Sequence, residues 1–236
     1  MKTTTLTRKL PALVLACVGG QFALASGAGA QGLLNLLVPP PPRPPAQVAA
    51  PAPATATPVQ VEQKLAALKY DVGPVDGNID EQASSAVMAF QKVSGLPRTG
   101  ELTPPVSAQI MATPAPPGPL LAGGEPNRIE ISLAHQVLFL YENGALTKIL
   151  PVSSGTSETP TPTGTFRIFR QESGWHTSRL GRLHNAQYFI GGYAIHGSTS
   201  VPAEPASHGC VRIPMSASEW FPSHVSKGMQ VFIAEG

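Results

Sequence analysis

Ser207-His208-Gly209-Cys210-Val211-Arg212 is the stretch on which the reading of this 236-residue chain turns. A second histidine–glycine pair, His196-Gly197, stands upstream at the end of the apolar run Tyr193-Ala194-Ile195. The chain has two cysteines, Cys17 and Cys210, and Cys17 lies in an N-terminus with the layout of a leader. Removing that leader leaves Cys210 without an internal disulfide partner. An odd cysteine in an exported protein is either an intermolecular bridge or a reactive thiol. The neighbours favour the thiol, because a thiolate needs a proton acceptor beside it and a backbone that leaves the sulfur open.

The residues around the motif fit that chemistry. His196 closes a strand, which predicts an imidazole held firmly at a sheet edge, and the loop 198–206, with Pro202 and Pro205, returns Ser207 to Arg212 beside it. Gly209 permits the Cys210 backbone to approach a substrate carbonyl, where neighbouring N–H groups can meet a developing oxyanion. Glu204 is the only acid between Gln187 and Ser218, so a backbone carbonyl is expected to orient the imidazole. Two other readings stay open on the residues alone. His196, His208 and Cys210 are all zinc-ligand types, although no fourth ligand or paired-cysteine spacing accompanies them. The thiol is otherwise inert packing on a non-catalytic scaffold. No metal or organic cofactor is indicated.

Upstream, the pattern is that of strands. Arg128-Ile129-Glu130-Ile131-Ser132-Leu133 alternates at period two, Gln136 to Tyr141 follows a short turn, and Leu146 to Val152 follows Glu142-Asn143-Gly144. Gly164 to Phe169, Tyr188 to Ile190, Tyr193 to Ile195 and Met229 to Ile233 complete a β-rich, sandwich-like or barrel-like domain over residues 127–236, with one helix expected at Ser216 to Val225. Residues 113–126, with Pro114, Pro116, Pro117, Pro119 and the pair Gly123-Gly124, read as a linker. Residues 59–112 carry Val61, Leu65 and Leu68, then Ala83, Ala86, Val87 and Phe90, at helical spacing, and Val106, Ile110 and Met111 mark a third short helix. Such a three-helix bundle has little surface to bury and a modest stability of its own. The fold class is therefore α+β and multidomain.

Residues 31–58 are Pro- and Ala-rich around Pro39-Pro40-Pro41-Pro42-Arg43-Pro44-Pro45, a semi-rigid spacer. Residues 1–30 carry Lys2, Arg8 and Lys9, an apolar stretch from Leu10 to Leu24, and small residues at Ala23-Leu24-Ala25 and Ala28-Gly29-Ala30. This is the arrangement of a secretory signal peptide. Its removal leaves thirteen basic against fourteen acidic residues, a net charge of −1. That argues against nucleic acid as a partner. The expected location is outside the cytoplasm, in periplasm or cell wall, with no membrane attachment after cleavage; an uncleaved anchor and a lipid anchor at Cys17 are the rival readings.

Two resemblances sharpen this picture. Residues 59–112 resemble the peptidoglycan-binding-like domain through Leu65-Ala66-Ala67-Leu68-Lys69-Tyr70, Gly73-Pro74-Val75-Asp76-Gly77, Ala86-Val87-Met88-Ala89-Phe90-Gln91 and Gly95-Leu96-Pro97-Arg98-Thr99-Gly100. Residues 127–234 resemble the L,D-transpeptidase (YkuD-like) catalytic domain through Thr161-Pro162-Thr163-Gly164-Thr165-Phe166, Gly191 to Gly197, and Ser207 to Arg212. The second resemblance implies Cys210 as nucleophile and His196 as general base, oriented by the Gly197 carbonyl. It also implies His208 as a supporting residue, and Arg212 and Ser207 toward the substrate. Tyr188 and Trp175 either line the groove or belong to the core, the core being favoured, whereas His135, His176, His184 and His224 have no motif context and read as surface residues. The implied function is acyl transfer from peptidoglycan tetrapeptide stems through a thioester, giving 3→3 crosslinks in cell-wall biogenesis and maintenance of cell shape. Water as acceptor would give an L,D-carboxypeptidase, and a silent thiol would leave a non-catalytic wall-binding protein. Implied partners are stem peptides and glycan, with carbapenem-type β-lactams as covalent inhibitors.

Overall fold

A computed structural model describes residues 56–236. The leader with Cys17 and the spacer up to residue 55 lie outside the described residues. Helix α1 (Pro58–Ala67) opens on a capping box: Thr57 Oγ1 accepts from Gln60 N at 3.4 Å and Gln60 Oε1 accepts from Thr57 N at 2.8 Å. Thr57 and Pro58, placed in the spacer by composition, thus start the helix, with Pro58 at the position where a missing N–H costs nothing. Helix α2 (Glu81–Val93) is capped by Asp80, and α3 (Pro104–Ala112) closes the helical module.

The β-rich part forms two sheets. The first runs β3 (Ala145–Pro151), β2 (Val137–Glu142), β1 (Arg128–Ser132), β10 (Gln230–Ala234) and β4 (Gly164–Arg167). The second runs β5 (Arg170–Gln171), β7 (Gly181–Ile190), β8 (Tyr193–Ser198) and β9 (Val211–Pro214), and β6 (Trp175–Ser178) pairs with β7. The pairings β1–β10 and β8–β9 are parallel and the others antiparallel. Helix α4 (Met215–His224) follows β9 and buries Ala217 and Phe221 in the inter-sheet core with Ile129, Leu138, Leu140, Ile195 and Val211.

The helical module does not keep a core to itself. In β2, Leu138 and Leu140 face the inter-sheet core, which leaves Val137, Phe139 and Tyr141 on the opposite face. Those three, with Ile149, share one buried cluster with Val61, Leu65, Phe90 and Ile110 of the helices. A strand covered on both faces loses its polar alternation, and Val137-Leu138-Phe139-Leu140-Tyr141 is indeed apolar throughout. Each such side chain contributes roughly 1.5–3 kcal/mol when buried, so the module borrows much of its stability from the sheet. The backbone joins as well: Ile149 N donates to Lys69 O at 2.7 Å and Asp71 N donates to Ile149 O at 3.2 Å, which pairs Tyr70 with Ile149 on the edge of β3. Asp71 is nearly buried there, accepting from Lys148 Nζ at 2.7 Å and from Trp220 Nε1 of α4 at 3.2 Å.

Candidate active site

Period-two geometry decides what the second sheet presents outward. In β8, Ile195 enters the core, so Ala194 and His196 point to the other face; in β9, Val211 and Ile213 enter the core, which turns Arg212, and Cys210 just before the strand, the same way. Parallel pairing sets His196 beside Arg212 and Ile195 beside Val211. The motif residues therefore meet in one cavity of about 630 Å³, lined by His196, Ser207, His208, Cys210, Arg212 and Tyr188, and by Arg170, Trp175, Arg179 and Arg182 from β5 and the β6–β7 hairpin.

His196 is buried, and its Nδ1 lies 2.9 Å from the Gly197 carbonyl. A carbonyl only accepts, so Nδ1 carries the proton and Nε2 is left as a base. Burial is the main influence lowering the His196 pKa, the Arg212 charge adds to it, and the Gly197 hydrogen bond opposes it. Burial raises the Cys210 thiol above its ordinary value, opposed by a hydrogen bond from the Ala194 backbone and by Arg212. Both directions favour the uncharged imidazole and thiol, and among the described residues no carboxylate is hydrogen-bonded to the imidazole. Cys210 is a free, partly exposed thiol, with Sγ 3.9 Å from Gly192 O.

The two glycines have separate reasons. Gly209 has φ +105°, and a Cβ there would strike the Tyr193 ring. A Cβ on Gly197 would strike Ser218 of α4. Gly209 N donates to Ser207 Oγ at 3.0 Å, so that N–H is already engaged and the oxyanion would need another donor.

Ser207 is buried at the wall of the cavity, and its hydroxyl donates to Cys210 O at 2.5 Å while accepting from Gly209 N. It ties the cysteine turn, with its one proton given to that carbonyl. Thr161, from the Thr161-Pro162-Thr163-Gly164 stretch, does the same from the other side, donating to Gly209 O at 2.9 Å and accepting from Gly155 N at 2.8 Å. His208 lines the cavity and is exposed. Tyr188 is nearly buried and lines the cavity, while its hydroxyl donates to Glu172 at 3.0 Å. Burial first, and then that carboxylate, raises its pKa.

The hairpin supplied what the motif did not disclose. Arg170 stacks on Tyr188 at 3.7 Å and Arg182 on Trp175 at 4.3 Å, so two guanidinium groups are held in the cavity that the thiol lines, in addition to Arg212. Trp175 is well exposed and serves as a wall of the cavity. His184 also departs from expectation. It is buried, with Nδ1 2.9 Å from Ser218 Oγ, and its Cβ adjoins Gly197. His135, His176 and His224 are exposed as expected.

The L,D-transpeptidase catalytic domain profile matches residues 126–233, and that of a peptidoglycan binding domain matches residues 56–110. Among solved structures, the L,D-transpeptidase (residues 123-326) from Xylanimonas cellulosilytica is 34% identical with a TM-score of 0.69, over 78% of this chain and 100% of that one. An L,D-transpeptidase from Stackebrandtia nassauensis is 26% identical with a TM-score of 0.49, over 77% of this chain and 92% of that one. No curated protein matches the chain. A binding module joined to a catalytic domain of the acyl-transfer kind defines a modular peptidoglycan enzyme. The chain belongs to the L,D-transpeptidase family.

Proposed function

We propose that this protein is an exported, cysteine-dependent L,D-transpeptidase of the periplasm or cell wall that forms 3→3 crosslinks. The observation that carries the reading is the His196 Nδ1 contact with Gly197 O, which frees Nε2 as a base in the cavity that also holds the Cys210 thiol. A tetrapeptide stem enters with its anionic groups toward Arg212, Arg170 and Arg182, where guanidinium forks suit carboxylates. His196 Nε2 takes the thiol proton as Sγ attacks the carbonyl carbon of the third residue. The tetrahedral intermediate collapses with cleavage of the C–N bond, and His196 returns the proton to the departing D-alanine amine, leaving a thioester on Cys210. The side-chain amine of a second stem then attacks the thioester, its proton passes to His196, and the thiolate leaves and is reprotonated.

The helical module holds the protein on peptidoglycan, and a carbapenem, whose strained amide mimics the donor, acylates the same sulfur. The test is incubation of residues 31–236 with a defined tetrapeptide stem followed by mass spectrometry. A dimer lacking one D-alanine is expected. Tripeptide alone would make the protein a carboxypeptidase, and unchanged stem would overturn the reading.

A further inference from the structure

The loop that carries Cys210 is fastened to the helical module. Lys92 of α2 is fully buried, and its Nζ donates to Val152 O at 2.8 Å and Gln136 O at 3.2 Å. The segment it holds, residues 152–156, is the backbone partner of the cysteine loop on both sides of the thiol. Ser153 exchanges two hydrogen bonds with Arg212, at 3.1 and 3.0 Å, and Ser154 O accepts from Ala206 N and Ser207 N, each at 2.9 Å. Ser153 Oγ also donates to Glu204 O at 2.8 Å. Arg98, in the turn between α2 and α3, reaches the same loop directly. Its Nη1 lies 3.0 Å from Glu204 Oε2 and 3.5 Å from Ala203 O, and its Nη2 donates to Ala134 O at 2.9 Å. One guanidinium fork thus spans the β1–β2 turn and the loop that leads from His196 to Ser207.

We propose that Arg98 and Lys92 are positioning residues for the Cys210 loop, so that the helical module sets the geometry of acyl transfer as well as holding peptidoglycan. This rests on the assignment of Cys210 as nucleophile. Exposed ion pairs contribute little by themselves, and Glu204 is largely exposed; the positioning comes from the backbone carbonyls, which fix where the loop runs. Misplacement of a nucleophile by a fraction of an ångström costs rate in the chemical step and leaves ground-state binding nearly unchanged.

The test uses the full chain with Arg98→Ala and Arg98→Lys, a soluble tetrapeptide stem that removes any effect of wall binding, and Cys210→Ala in parallel. Arg98→Ala is expected to lower kcat about tenfold with KM within about twofold, at a melting temperature well above that of the assay. The pH profile of iodoacetamide alkylation at Cys210 should move with it, since the thiol no longer sits in the same relation to His196. Arg98→Lys should recover only part of the rate, because an ammonium keeps the charge but cannot bridge Ala134 O and Ala203 O together. Wild-type kcat and alkylation profile in Arg98→Ala would overturn the proposal, as would full recovery in Arg98→Lys. Turnover by Cys210→Ala would instead sink the nucleophile assignment, whatever Arg98 does.

Discussion

Lys92→Met should change the stability of this protein in a way that depends on pH. Burial lowers the Lys92 pKa from 10.5 to about 7, with the Arg98 charge adding to the effect and Glu204 opposing it. The unfolded chain binds a proton at this amine throughout the interval between those values, whereas the folded one does not. Stability therefore rises with pH from about 7 toward 10.5. At 1.36 kcal/mol per pKa unit, the lysine form should gain about 2 kcal/mol between pH 7 and pH 9, and Lys92→Met should lack that gain. The methionine leaves Val152 O without its partner, a cost of about 1–3 kcal/mol that does not vary with pH, while Gln136 O keeps the bond from Val152 N at 2.9 Å. Near pH 7 the two effects oppose each other and the variant should be about as stable as wild type or more so. At pH 9 the balance shifts toward wild type by the 2 kcal/mol just derived. Urea unfolding of both forms at half-unit steps supplies the difference, in which the titrations of Cys210, His196 and the buried tyrosines cancel. A difference that stays flat from pH 7 to 9 would refute a neutralised, buried amine.

Four further outcomes concern the site. Cys210→Ser should lose the mass adduct that a carbapenem leaves on the wild type, with crosslinking reduced at least about a thousandfold; intact-mass spectrometry reads both. With neutral His196 as the proposed base, turnover should rise with pH through an apparent ionisation below the ordinary histidine value, while iodoacetamide alkylation should climb above the ordinary cysteine value. Arg212→Ala should move both limbs upward, since removing the cation eases protonation of His196 and opposes ionisation of Cys210; unmoved limbs would remove Arg212 from the electrostatics. Gly209→Ala should lower kcat more than a hundredfold while far-UV circular dichroism stays native, because the new Cβ meets the Tyr193 ring at a positive φ.

What the sequence disclosed and what it hid follow from distance along the chain. Cys210, Gly209 and Ser207 are neighbours in sequence, and His196 lies one short loop away, so their meeting needs only two adjacent strands. The contacts of Lys92 with Gln136 and Val152 span 44 and 60 residues, and that of Trp220 with Asp71 spans 149. No periodicity announces pairs of that kind. Strand β6 is exposed at all four residues, so it shows no alternation to read, and it carries the Trp175 wall of the cavity. His184 looks like a surface histidine until β7 brings it against Ser218. One signal was present and undervalued: the unbroken apolar run Val137 to Tyr141 already required cover on both faces of its strand.

The pairing of Tyr70 with Ile149 also bears on how the protein behaves in company. Strand β3 ends the first sheet, and a sheet margin with vacant N–H and C=O groups is a template for another chain to add itself. Here Lys69 O and Asp71 N occupy those groups at Ile149, and the aromatic body of Tyr70 sits over the margin, buried. At Ile149 the helical module thus closes the margin that a second sheet would need. Proteolytic loss of residues 56–112 is expected to uncover that margin and the apolar face Val137, Phe139 and Tyr141 together, and so to favour association through β3.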